Sequence, residues 1–355
     1  MTKRQIKTLY VVFCLLLIGL FLLIGQRITR PHKVATDELE KKARHLMDSN
    51  PKAIFQFDPD LSYMLKPNFR GFRDESDVYV HMTNSRSLLG EEEIASSSSI
   101  KKIIFLGDSI LYGQRVAYEE TMTMIMQTLA GKTYQLANGG CPGWSTKQEI
   151  LFYKKYLQDV DWKSIVIILC LNDLVNYEWI YDSESDIRLS ADIDNVGGLY
   201  GLRTKVVESV NLWRMRKKFA ADVRTLPLSE HNNTCLLAWE QDRWDKFYND
   251  TLQPFLTGPN LPPLIIAIAP SRYQLEALRK GGKAKLVFYP QTKLQAYCRR
   301  ASITCIDLAK GLSEGIRDGD LSAIYLDDLH LTPLGHRIVA NYLWPVLDGL
   351  IEKNR

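Results

Sequence analysis

The stretch Ile103-Ile-Phe-Leu-Gly-Asp-Ser-Ile-Leu-Tyr-Gly113 decides the fold. A short, wholly apolar run ends in Gly107-Asp108-Ser109 and then turns, the pattern of a strand buried on both faces that delivers a polar tip to the rim of a parallel sheet. The same texture recurs along the chain. Tyr134 to Ala137, Ile165 to Leu169, Leu264 to Ile268 and Ile303 to Ile306 are further short apolar runs, separated by longer amphipathic stretches suited to helices. Alternation of this kind predicts a doubly wound, three-layer α/β/α domain of flavodoxin-like type with a parallel sheet. In such sheets ligands sit beyond the carboxyl ends of the strands, where most of the polar clusters of this chain fall.

Outward from that core, the sequence divides into unequal parts. Leu9 to Gly25 carries no charge, between Lys3, Arg4 and Lys7 on one side and Arg27, Arg30 and Lys33 on the other. Its length lies near the lower limit for a spanning helix, about 17 to 25 residues. The exit through Leu22-Leu23-Ile24-Gly25-Gln26-Arg27 fits a cleavage site poorly, so the expectation is an uncleaved single-pass membrane anchor at residues 1–27. A basic start before a short anchor favours export, which puts the following domain outside the cytoplasm, in the periplasm. A domain tethered to the inner leaflet is the alternative, because the flanking charges are nearly balanced. Residues 28–54 read as a charged helical stalk. Residues 55–100 read as an accessory segment of small strands and turns laid against the main domain, closing with a solvated loop from Glu91 to Ser99. The main domain is 101–355, interrupted at about 174–258 by an insertion rich in Trp, Tyr and charge that is expected to be helical.

Composition excludes several classes. At 355 residues and 46% hydrophobic the chain can bury a large core, and 45 Lys+Arg against 41 Asp+Glu leave a net charge of only +4. Without a dense basic block interleaved with aromatics, nucleic acid is not the expected partner. Outside the apolar run stand Cys141, Cys170, Cys235, Cys298 and Cys305, with no spacing that closes a zinc site. Most read as small core residues, and an oxidising compartment allows one disulfide among them.

Four clusters carry chemistry. Gly107-Asp108-Ser109 places a hydroxyl at the sheet rim, where nucleophilic catalysis wants it; alone it is a common turn tripeptide. Asn138-Gly-Gly-Cys-Pro-Gly143, before Trp144-Ser145-Thr146, lets the backbone approach a ligand closely, although taken alone it is better explained as a strand-to-helix turn with Ser145 or Thr146 as N-cap. Asn172-Asp173 ends the most apolar strand; a side-chain amide there can donate to a developing oxyanion, and Asp173 can hold the loop by accepting backbone amides. Asp327-Asp-Leu-His330 precedes Thr332-Pro333, which reads as the N-cap and first residue of a C-terminal helix over Arg337 to Ile351. A histidine activates a serine when one ring nitrogen faces the hydroxyl and a carboxylate fixes the proton on the other, and an aspartate three residues upstream can reach around a tight loop to do so. A capped turn or half a metal site is the bland reading of Asp-x-x-His, with no third and fourth ligands nearby in the sequence.

In this order the blocks Gly-Asp-Ser, Asn-x-x-x-x-Gly, Asn-Asp and Asp-x-x-His resemble those of the SGNH/GDSL hydrolases, over about Lys101 to Lys353. The resemblance implies Ser109 as nucleophile, Asp327 and His330 as its base system, and an oxyanion hole from the Ser109 amide, the Gly143 amide and the Asn172 side chain. It implies an acyl-enzyme and requires neither metal nor organic cofactor. Two positions depart from the pattern: Cys170 stands where the third block usually has glycine, and Ile110 replaces the leucine after the serine. The segment Phe55 to Leu89, with Leu65-Lys66-Pro67-Asn68 and Thr83-Asn84-Ser85, is similar to what precedes this domain in some bacterial envelope members. The expected function is a serine esterase acting on an acylated carbohydrate or lipid. Its alternatives are an O-acyltransferase of envelope polysaccharide and a glycan-binding or assembly protein without turnover.

Overall fold

A computed structural model describes residues 54–72, 79–174, 177–183, 186–191, 235, 237–239, 241–317 and 319–353. The expected anchor at 1–27 and nearly all of the expected stalk lie outside these residues. Ile54 is the exception: it is fully buried in the core, so the packed region begins at least one residue earlier than expected. Among the described residues no helix is long and apolar enough to cross a membrane.

Five parallel strands form the central sheet: β5 (Lys101–Gly107), β6 (Tyr134–Gly140), β7 (Trp162–Leu169), β10 (Leu264–Ile268) and β11 (Thr304–Asp307). Their spatial order is β11-β10-β7-β5-β6, every neighbouring pair parallel. This is the doubly wound order, with its reversal between β5 and β7. Each apolar run of the sequence falls on one of these strands. Ile165, Val166, Ile167, Ile168 and Leu169 of β7 are all completely buried. Burial of side chains this size contributes about 1.5–3 kcal/mol each, which makes β7 the hydrophobic axis of the domain.

The helices are α1 (Ser109–Tyr112), α2 (Met122–Ala130), α3 (Thr146–Phe152), α4 (Gln241–Lys246), α5 (Gln253–Leu256), α6 (Arg272–Arg279), α7 (Ala284–Val287), α8 (Tyr289–Ala301), α9 (Leu308–Ile316) and α10 (Pro333–Lys353). The last begins at Pro333, the first helical residue that Thr332-Pro333 predicts, and runs two residues past Ile351. It packs against α2 and α9. Cys298 of α8 is bonded to Cys305 of β11, while Cys141, Cys170 and Cys235 are free and buried.

The accessory segment is a set of short antiparallel pairs, β1 (Phe55–Asp58) with β2 (Ser62–Leu65) and β3 (Arg70–Gly71) with β4 (His81–Met82). It meets the sheet at its outer strand, where the Leu89 amide donates to the Asn138 carbonyl at 2.8 Å. It also meets α1, where the ring nitrogen Nδ1 of His81 lies 2.6 Å from the Tyr112 hydroxyl.

The insertion departs from the helical expectation. Its first part is an antiparallel pair, β8 (Tyr177–Ser183) with β9 (Asp186–Ala191), in a register that sets Trp179 opposite Leu189 and Tyr181 opposite Ile187. The cause is legible in the residues: Tyr177, Trp179, Ile180 and Tyr181 form a short run rich in aromatic and β-branched residues, with Tyr177, Trp179 and Tyr181 at the period of a strand. Helical turns appear from Leu237 onward.

Candidate active site

Ser109 follows β5 and Asn172 follows β7, on the two sides of the reversal in strand order. The local chain explains the serine's placement. Asp108 caps α1, its Oδ1 accepting the Ile110 amide at 2.9 Å, so the chain turns sharply at the strand end. Gly140, at the same level of β6, lets α1 lie against the sheet: a Cβ there would come within 2.5 Å of the Tyr112 nitrogen.

The loop before α10 supplies the other two groups. The Leu326 amide donates to the His330 carbonyl at 2.8 Å, and Tyr325 bridges Leu331, which closes the loop. Thr332 Oγ1 accepts the Gly335 amide at 3.2 Å, the helix entry that Thr-Pro announces. His330 Nε2 lies 2.9 Å from Ser109 Oγ, across 221 residues of sequence, and His330 Nδ1 lies 2.7 Å from Asp327 Oδ2. With the serine hydroxyl donating to Nε2, the ring carries its proton on Nδ1 and donates it to Asp327.

Asp327 is well supplied with donors. Its Oδ1 accepts the amides of Leu329 and His330, each at 2.9 Å, and Arg115 Nη1 stands 3.5 Å from Oδ2. Arg115 reaches it from a left-handed backbone position, φ 63°. Partial burial pulls the Asp327 carboxyl up, but the bonds from the His330 ring and the two amides outweigh it and hold the group well below the usual carboxylate range. A second histidine, His336 of α10, is buried, and its Nδ1 accepts the Met122 amide at 3.2 Å. Burial pushes it down to about 3, so it stays neutral.

Gly143 sits in a turn of type II pattern: Pro142 precedes it, its φ is +78°, and the Trp144 amide donates to the Cys141 carbonyl at 3.2 Å. The accessory segment fixes that turn, because the Tyr63 hydroxyl donates to the Pro142 carbonyl at 2.7 Å and Trp144 Nε1 donates to the Tyr63 carbonyl at 3.0 Å. Ser145 is the N-cap of α3, in a capping box with Gln148. Asn172 directs Nδ2 toward Asp108 Oδ2 at 3.4 Å, which leaves its second N–H for another acceptor. Asp173 holds the loop by accepting the Cys170 amide at 2.6 Å.

The structure thus brings Ser109, His330 and Asp327 into one hydrogen-bonded chain and sets Asn172 beside Asp108, next to that serine. Sequence reasoning overlooked Tyr63, Arg115 and Glu149. Only the last had a local signal: once Ser145-x-x-Gln148 is read as a capping box, Glu149 falls on the same helical stripe as Phe152 and Tyr153, both buried.

Fold and constellation together define a class: a doubly wound α/β domain with a Ser–His–Asp arrangement at the carboxyl edge of its sheet. No family model and no curated protein matches the chain. Among solved structures it is similar to a lipolytic protein of the G-D-S-L family from Veillonella parvula DSM 2008, at 15% identity over 70% of this chain and 98% of that one, with a TM-score of 0.39. It is similar also to an acetyl xylan esterase, at 17% identity over 69% and 99% of the two chains with a TM-score of 0.40. A carbohydrate acetylesterase family member from Sinorhizobium meliloti gives 15% identity over 71% and 100%, with a TM-score of 0.38.

Proposed function

We propose that the chain is a serine esterase of the SGNH/GDSL type that hydrolyses O-acyl esters of a carbohydrate or lipid through an acyl-enzyme on Ser109. The observation that carries this reading is the continuous chain Ser109 Oγ to His330 Nε2 at 2.9 Å and His330 Nδ1 to Asp327 Oδ2 at 2.7 Å. As Ser109 Oγ attacks the ester carbonyl, its proton passes to His330 Nε2, and the imidazolium is stabilised by Asp327, which remains the carboxylate. Collapse of the tetrahedral intermediate returns that proton to the leaving alcohol. Water repeats the sequence on the acyl-enzyme. The Ser109 amide, the Gly143 amide and the free N–H of Asn172 are the donors to the oxyanion, each worth about 3 kcal/mol in the transition state.

The apolar run Leu9 to Gly25 supports a single-span tether for this domain. The Cys298–Cys305 bond supports an oxidising compartment outside the cytoplasm. The test is direct. Wild-type chain turns over p-nitrophenyl acetate and is labelled at Ser109 by a serine-directed phosphonate; Ser109→Ala abolishes both with its thermal transition unchanged. Undiminished turnover by Ser109→Ala would remove the proposal.

A further inference from the structure

Beneath Ser109 the domain buries three carboxyls that the esterase reading does not use. Asp108 and Glu149 are completely buried and Asp173 is 2% exposed. They come from three different elements: the end of β5, the first turn of α3 and the turn after β7. Their surroundings are poor in donors. Among the described residues, both Oε atoms of Glu149, Oδ1 of Asp173 and Oγ1 of the fully buried Thr146 have no hydrogen-bond partner. Asp108 accepts on its upper side only, from the Ile110 amide at 2.9 Å and from Asn172 Nδ2 at 3.4 Å, with Ser109 Oγ, whose proton goes to His330, also 3.4 Å away.

Three buried carboxyls whose charges act on one another, with so few donors, do not all ionise, because each isolated buried charge is very costly and they repel one another. The proton that neutralises one of them becomes the missing donor for its neighbours. Glu149 is the group best placed to keep it, as the only one of the three whose two oxygens both lack a donor. We propose that Glu149 is a positioning residue of this site: held as the neutral acid, it gives its O–H to the Asp108–Asp173 pair, so that Asp108 stays fixed beneath Ser109 and Asn172.

Within this cluster the carboxyls raise one another, Asp108 acting on Glu149 and both of them acting on Asp173, while His330 lowers Asp108 from above. The buried thiols of Cys141, Cys170 and Cys235 complete the lining and are themselves raised by burial and by these carboxylates. Burial, and then the Asp108 charge, push Glu149 well above the usual carboxylate range. A carboxyl raised on folding lends stability below its unfolded pKa and loses it as pH climbs from there toward the folded value.

This inference rests on the esterase reading for its kinetic arm, and its stability arm is independent of it. On the full chain in detergent, Glu149→Gln keeps a donor and removes the titrating proton, so it flattens Tm against pH between pH 5 and 9 relative to wild type. With p-nitrophenyl acetate, Glu149→Gln moves the alkaline limb of kcat/KM upward by about one pH unit. Glu149→Ala, which supplies no donor, lowers kcat about tenfold with KM within about twofold, and Gln recovers most of that loss. Superimposable Tm profiles for wild type and Glu149→Gln overturn the proposal, and so does a Gln variant as slow as Ala. A wild-type chain that hydrolyses no ester sinks the esterase reading, while the Tm profiles still decide the fate of Glu149.

Discussion

The two sides of Ser109 treat carboxyl groups in opposite ways. On the loop side, Asp327 is partly open to solvent and takes bonds from the His330 ring and two backbone amides, with Arg115 nearby. On the floor side, Glu149 has no exposure and no donor among the described residues. The first environment is built for a charge and the second for a proton. The lesson is that one residue type serves as counter-ion or as acid according to how many N–H groups the backbone turns toward it.

The sharpest way to break this comparison is to remove the loop side's proton path. His330→Ala is expected to lower kcat about 10⁴-fold or more, and Asp327→Asn, which holds the wrong tautomer, by about 10⁴-fold, read as ester turnover on folded protein. Equal activity of Asp327→Asn and wild type would mean that the carboxylate does nothing for His330. Asn172→Ala removes the amide that stands over Asp108 on the floor side. It is expected to cost about 10²- to 10³-fold in kcat with little change in KM, the signature of a donor used only in the transition state. The opposed environments also predict opposed pH signatures in stability. Asp327, held low, lends stability that is present above the ordinary carboxylate value of about 4 and lost as pH falls below it. Asp327→Asn therefore flattens Tm on the acid side, whereas Glu149→Gln flattens it on the alkaline side; shifts of the same sign would erase the distinction. The smallest effect belongs to Tyr63→Phe, which deletes one hydrogen bond to the Gly143 turn. A loss of about 1 kcal/mol lowers Tm by about 2 °C in a domain of this size, with kcat/KM falling less than about tenfold. An unchanged Tm would show that the turn stands without its buttress.

What could be seen in the sequence follows the range of the forces involved. Leu264 to Ile268 is a strand over the same residues the sequence suggested, and Ile165 to Leu169 lies inside β7, because a run buried on both faces announces itself in composition. Ser109, Asp327 and His330 were readable because each sits at the boundary of an element, where strand ends and helix caps leave marks. Tyr63 was not, since it works through a partner 79 residues away and no local pattern says where a hydroxyl will reach. Glu149 was hidden by its type, as an acidic residue in a first helical turn is ordinarily a solvated complement to the helix dipole. The pair β8–β9 runs against the helical expectation because the Trp, Tyr and charge content of the insertion does not separate helix from strand, and its period-2 aromatic spacing is only three residues long.

The rung between Leu89 and Asn138 has a practical corollary. A version of this protein trimmed to begin at Lys101 would retain every reacting group and still be a poor object to work with. It would bare the flank of β6 to other molecules, inviting them to add strands of their own. Shortened forms meant for crystals or assays therefore belong upstream of Ile54, with the small antiparallel pairs kept as a guard on the sheet's open side.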